Sequence, residues 1–238
     1  MSRIFRKSRE KLLGLGKAYQ YIIYAIGEIL LVVIGILIAL QIDNWNEEKQ
    51  RRQAELIFYQ NIREQIVTDS IQIMTEIEYN ARYTRQFTYA NSLIDQDDRI
   101  HSDTLGKIAT NLLNYSDFDR QGNIYETLVN SGQLELLRNH EIIEGIRSLE
   151  DLYIYINRIE NIHYDAMMHG VVPRVSEVVK FSDGKIQRPE LVYSFEFQNM
   201  ILTLLRIMSE KDEIYHRALR RIHEITTLID AELGKSRN

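Results

Sequence analysis

The sequence contains no cysteine, which removes disulfides, thiolate metal sites and cysteine nucleophiles from consideration. It has only two prolines, Pro173 and Pro189, and neither proline nor glycine occurs in 36–105 or 190–233. Those residue types are the usual helix breakers, so both stretches permit very long helices. Basic charge is outweighed beyond the N-terminus. Residues 1–20 carry six bases and one acid, whereas residues 43–238 carry 23 bases against 32 acids. The large C-terminal region is therefore acidic, which argues against nucleic acid as its partner. No tandem repeat or low-complexity tract is present, and a hydrophobic content of 45% fits a folded chain rather than a disordered one.

What the sequence does contain is one long apolar run. Residues 21–42 hold 14 large aliphatic side chains and a single charge, Glu28. At 1.5 Å per residue a helix of this length spans about 33 Å, enough for a bilayer core of about 30 Å. The aliphatic residues contribute about −4 to −8 kcal/mol to insertion, against roughly 2.5–3.5 kcal/mol for a central carboxylate. Tyr21 and Tyr24 near one end and Trp45 past the other have the spacing of two aromatic belts. The basic segment precedes the run, and Asp43, Glu47 and Glu48 follow it. The positive-inside rule then places residues 1–20 in the cytoplasm and residues 43–238 outside it, with residues 21–42 as the transmembrane helix. A cleaved signal peptide is the rival, but it calls for a shorter apolar region followed by a small-x-small site, which Leu37-Ile38-Ala39 does not provide. Gly14-Leu15-Gly16-Lys17 has the look of a phosphate loop. It lacks the first glycine and has Ala18 where Mg²⁺ needs a hydroxyl, so a basic collar on anionic lipid is preferred.

The outer region patterns as helix. Leu56, Tyr59, Ile62, Ile66, Ile73, Ile77 and Phe87 recur at threes, fours and their sums, predicting a helix over 46–94 that continues the anchor and stops at Asp95-Gln96-Asp97-Asp98. Asp103 is placed as the cap of a short helix to Leu113, and Asn123 as the start of another that Gly132 ends. A long helix is predicted over 140–169, ended by Gly170 and Pro173. The valine-rich 171–181 leans weakly to strand, Ser182-Asp183-Gly184-Lys185 forms a turn, and a final helix runs over 195–233. The expected fold is all-α: one N-terminal transmembrane helix continuing into an antiparallel, coiled-coil-like bundle with long helices.

Two blocks carry a family likeness. The first runs from Tyr24-Ala25-Ile26-Gly27-Glu28 through Gly35-Ile36-Leu37-Ile38-Ala39 to Asn44-Trp45-Asn46-Glu47. The second comprises Tyr125-Glu126-Thr127-Leu128, Ser131-Gly132-Gln133-Leu134-Glu135-Leu136-Leu137 and Asn139. In residues, order and spacing these resemble a large family of uncharacterised Gram-negative single-pass membrane proteins. The resemblance implies an inner-membrane protein with a periplasmic helical domain, and it supplies no catalytic residues.

Several constellations bear on function. Glu28 inside the span suggests an interhelical hydrogen bond or a proton-linked role, against the plainer reading of an acid satisfied by backbone or headgroups. Gly35 and Ala39, with Gly27 two turns earlier, form a small-residue face on which helices can approach closely. Asp117, Asp119, Gln121 and Asn123 match the start of a calcium loop, but Leu128 stands where a bidentate Glu belongs, so a polar loop capping a helix explains the same letters. The six histidines form no metal motif and read as surface or interface groups, and the tyrosines in 153–164 read as packing. No cofactor is expected, and no catalytic signature is present. The partners expected are the lipid bilayer and a second copy or another membrane protein. The rivals to a structural or interaction protein are a ligand sensor signalling through a partner, since about 20 residues face the cytoplasm, and a proton-coupled subunit using Glu28.

Overall fold

The structure is a computed structural model that describes residues 17–118, 122, 124–130 and 132–235. The chain divides into two compact units, Met1–Ala54 and Glu55–Asn238. It is all-α, with a single two-stranded hairpin. Helix α1 (Lys17–Asp95) supplies the described part of the first unit and the first helix of the second, with no break, as the absence of glycine and proline allows.

In the first unit every described side chain from 21 to 50 is exposed except Ile23, which is half-buried, so the aliphatic run is otherwise uncovered. Among the described residues α1 is the one helix with a stretch long and apolar enough to cross a membrane.

In the second unit α1 packs with α4 (His140–Ala166) and α7 (Phe195–Lys235). The helix α2 (Ser102–Asn111), the short helix α3 (Ile124–Asn130) and the 3-10 turn Gln133–Leu136 lie between the first two long helices in sequence. Contacts fix the directions. Arg63 meets Asp230 while Asn80 meets the Met208 carbonyl, so α7 runs against α1. Gly145 faces Ile225 while His163 faces Lys211, so α7 also runs against α4. Of the stripe the spacing predicts, Tyr59, Ile62, Ile66, Ile73 and Phe87 are buried and Leu56 and Ile77 half-buried, and α7 buries Leu204, Met208, Tyr215, Ile222, Ile225 and Ile229.

Three local expectations are corrected. The chain does not leave the helix at Gly170 and Pro173. A π-helical turn, Met167–Val171, carries it into α5 (Val172–Val178), where Pro173 occupies the first turn and its missing N–H is not required. The valine run is therefore mostly helix, with only Val179–Lys180 as strand β1, paired with β2 (Lys185–Ile186) across the predicted turn. Asp103 lies inside the first turn of α2 and is not its cap, because Asp98 takes the loop amides of Ile100 and His101. The hairpin packs on α2 at Gly106, where a Cβ would collide with the Gly184 carbonyl oxygen; Gly184 itself needs φ +67°. A four-residue helix α6 (Pro189–Val192) leads into α7.

Candidate functional site

The core of the second unit is in two apolar parts. One is centred on Tyr59, Ile66, Ile146 and Ile225, the other on Phe87, Leu105, Val175 and Leu204. Between them all three long helices present polar side chains at the same level: Glu76 and Asn80 from α1, Glu160 and His163 from α4, Lys211 and Tyr215 from α7. The segment 114–118, which lies outside any helix or strand, crosses this level and adds Ser116 and the backbone of Phe118.

The centre of the layer is enclosed, while Glu76 at its margin is half-buried. Lys211 is 0% exposed, His163 1% and Glu160 3%, so these groups are shut off from solvent as completely as the leucines around them. Such burial is tolerated only when the groups satisfy one another. Lys211 donates to the Ser116 carbonyl oxygen and lies 3.5 Å from His163 Nδ1, with the Tyr115 and Tyr215 rings about it. Tyr215 donates its hydroxyl to Glu160 Oε1, which also accepts the Phe118 N–H at 2.8 Å. Glu76 accepts the Asp117 N–H at 3.2 Å. A lysine can only donate, so His163 Nδ1 is the acceptor and its proton sits on Nε2. Neither His163 Nε2 nor Glu160 Oε2 finds a hydrogen-bond partner among the described residues.

Burial shifts every titratable member toward its neutral form. It pushes the Glu160 carboxyl up to about 7, although the Tyr215 hydroxyl, the Phe118 amide and Lys211 pull the other way. It takes Lys211 down to about 8 despite Glu160, Asp117 and Glu76 nearby. Burial and then the Lys211 charge bring His163 down to about 4. Tyr215 is held far above the usual phenol range by burial and by Glu160. Near neutral pH the layer thus holds a charged lysine beside a glutamate close to its midpoint. The groups are chemically capable of acid–base work, but they face each other.

A second polar knot ties α1 to the start of α4. Glu55, 1% exposed, accepts the Tyr59 hydroxyl at 3.0 Å and the Arg138 N–H at 2.8 Å. Asn139 caps α4 by accepting from Glu141 N and Ile142 N, and its side-chain amide donates to Glu232 on α7.

The residues singled out from the sequence are distributed as follows. Glu28, Gly35 and Ala39 are exposed on α1, and a Cβ at Gly27 or Gly35 would meet nothing within 4 Å. Tyr21, Tyr24 and Trp45 are also exposed, and Lys49 Nζ sits 5.7 Å from the Trp45 ring. Of the calcium-loop residues, Asp117 is exposed, while Asp119, Gln121 and Asn123 lie outside the described residues. Leu128 is buried in the core, and no group of three or more His, Asp or Glu placed to hold a metal occurs among the described residues. Most of the basic segment, with Gly14, Leu15 and Gly16, also lies outside them. The tyrosine reading stands for Tyr153, which is buried and donates to Asp69 at 2.9 Å. The histidine reading is corrected at His163, which is in the core. Sequence reasoning missed the layer, yet a signal existed: Glu160 and His163 are one turn apart on the stripe of Ile156 and Ile159, and Lys211 and Tyr215 are one turn apart on the stripe of Met208 and Ile222.

Comparison with protein families matches residues 28–208 to the model of a family of unknown function, DUF6090. The matched span includes Glu76, Ser116, Glu160 and His163 and stops before Lys211 and Tyr215. Comparisons with curated proteins and with solved structures find no match.

Proposed function

The chain belongs to DUF6090, a family of unknown function, and from its own geometry we propose that it is a membrane-anchored interaction protein rather than an enzyme. The observation that carries this is the state of α1 in the first unit. Its aliphatic run is uncovered on every face, whereas α1, α4 and α7 of the second unit bury their apolar stripes. So much apolar surface is stable only in a medium without water, and its length fits a bilayer core. The charge asymmetry orients the span, with residues 1–20 in the cytoplasm and residues 43–238 exported. Together with the family resemblance this favours a Gram-negative inner membrane with a periplasmic domain. Closure of Lys211, His163 and Glu160 from solvent supports a structural role for them over catalysis on a substrate.

The partners proposed are the lipid bilayer and, through the face of Glu28, Gly35 and Ala39, a second copy or the helix of another membrane protein. A second reading, a sensor acting through a partner, is favoured by the ionisable layer in the middle of the bundle. Fusing an alkaline phosphatase after residue 238 tests the anchor and its direction. An active fusion together with a dark cytoplasm-folding fluorescent fusion is expected. The opposite pair of results overturns the topology.

A further inference from the structure

We infer that the end of the bundle formed by residues 95–103 and the start of α7 is a docking face for a protein that offers an apolar pocket rimmed by basic side chains. The inference rests on the reading that this domain serves interaction, and it names the place and the chemistry.

The loop between α1 and α2 is built to hold one conformation. Asp97 adopts φ +50°, the only positive φ at a non-glycine among the described residues. Its carboxylate takes Arg99 Nε at 3.0 Å, and the Arg99 guanidinium lies 4.6 Å from the Tyr193 ring. Asp98 Oδ1 accepts the amides of Ile100 and His101, and Asp98 Oδ2 pairs with His101 Nδ1 at 2.7 Å. Tyr193 then donates its hydroxyl to the Asp98 carbonyl at 2.7 Å, which fastens the loop to the segment leading into α7.

The polar groups of the loop are thus used to fix it, while its one large apolar side chain is presented outward. Ile100 is 91% exposed, and Phe195, two residues beyond Tyr193, is 69% exposed. A rigid loop loses little entropy when its apolar knob enters a pocket, which is how preorganised contacts gain affinity.

Charge selects the occupant. Of the six acids in residues 95–103 and 190–198, Asp97 pairs with Arg99 and Asp98 with His101, which leaves Asp95, Asp103, Glu190 and Glu196 as exposed carboxylates. A second copy is disfavoured, because residues 43–238 are themselves acidic, and an anionic membrane surface is disfavoured for the same reason. A pocket with a basic rim matches both the knob and its surround.

The test uses the full chain in cells, with a photo-crosslinking amino acid at position 100 or 195 and, as control, at Ile154, which is 58% exposed on α4. One discrete adduct with another protein is expected from 100 and from 195 but not from 154. It should fall at least fivefold when Asp103→Lys and Glu196→Lys are combined, and again in a separate Ile100→Ser chain probed from 195. Both changes lie on exposed side chains, and an unchanged melting temperature verifies the fold. The absence of an adduct, equal labelling from 154, an adduct of two copies, or an adduct indifferent to the charge reversal each overturns the inference. An active phosphatase fusion alongside any of these results leaves the anchor standing and removes only the docking face.

Discussion

Tyr215 on α7 donates its phenolic hydrogen to the Glu160 carboxylate on α4, joining two antiparallel helices through the level where the apolar core is interrupted. Replacing Tyr215 by Phe keeps the ring in the core but leaves Glu160 Oε1 with the Phe118 amide as its one remaining donor. Removing one partner of a buried polar group costs about 1–3 kcal/mol. Urea unfolding of the full chain in detergent should show that loss with an unchanged slope. A change below about 0.5 kcal/mol would mean that this bond does not hold the helices together.

Glu160 and His163 oppose one another in their pH dependence. The folded state raises Glu160 from 4.5 to about 7, so its contribution is complete below pH 4.5 and is lost as pH rises through 7. The folded state lowers His163 from 6.5 to about 4, so its contribution is present above pH 6.5 and is lost as pH falls through 4. Between about pH 4.5 and 6.5 these two slopes oppose one another. In Glu160→Gln, stability should rise with pH across that window; in His163→Asn it should fall. Each change is worth up to about 3 kcal/mol. Parallel, flat pH profiles for the two variants would contradict the buried, opposed titrations.

Gly106 on α2 lies under the hairpin turn, with the Gly184 carbonyl oxygen where its side chain would be. Ala is the better helix former by about 1 kcal/mol, so Gly106→Ala would stabilise an open helix. Here the obstructing atom is backbone, and overpacking of this kind costs about 1–3 kcal/mol. A lowered melting temperature and faster amide exchange at Val179 and Lys180 are expected. Stabilisation by the substitution would mean that the hairpin moves aside freely.

Gly35 and Ala39 lie on the exposed apolar face of α1, with Glu28 two turns earlier. A membrane-helix association reporter carrying residues 19–46 should lose its signal with Gly35→Leu, through steric bulk. It should weaken only slightly with Glu28→Gln, because measured interhelical polar bonds average about 0.6 kcal/mol. A wild-type signal from Gly35→Leu removes this face as the interface. Loss of cellular function in Glu28→Gln with association intact would favour proton coupling.

The sequence by itself determined the helices and the span. Twenty-two residues with one charge make an apolar run whatever folds beside it, and a stretch without glycine or proline from 36 to 105 leaves α1 nothing to break it. Inward faces followed from spacing, because a stripe of Ile, Leu and Tyr at threes and fours can only be buried one way. Tertiary structure alone decided the fate of the charges. Lys211 stands in the run Glu210-Lys211-Asp212-Glu213 and has the look of a solvated residue. It is in the core because the Ser116 carbonyl, 95 residues away in sequence, and Glu160 come to the same level and offset its desolvation. His163 and Glu55 are hidden for the same reason: each is tolerated inside by partners brought by other elements. Pro173, a helix stop by its local chemistry, is itself exposed but is carried within helix by a π turn, while its neighbours Val171 and Val175 are buried in the core. Local preferences act within a turn or two of the chain, whereas the burial of an ionisable group depends on which distant groups arrive to meet it, and that is settled only when the helices pack.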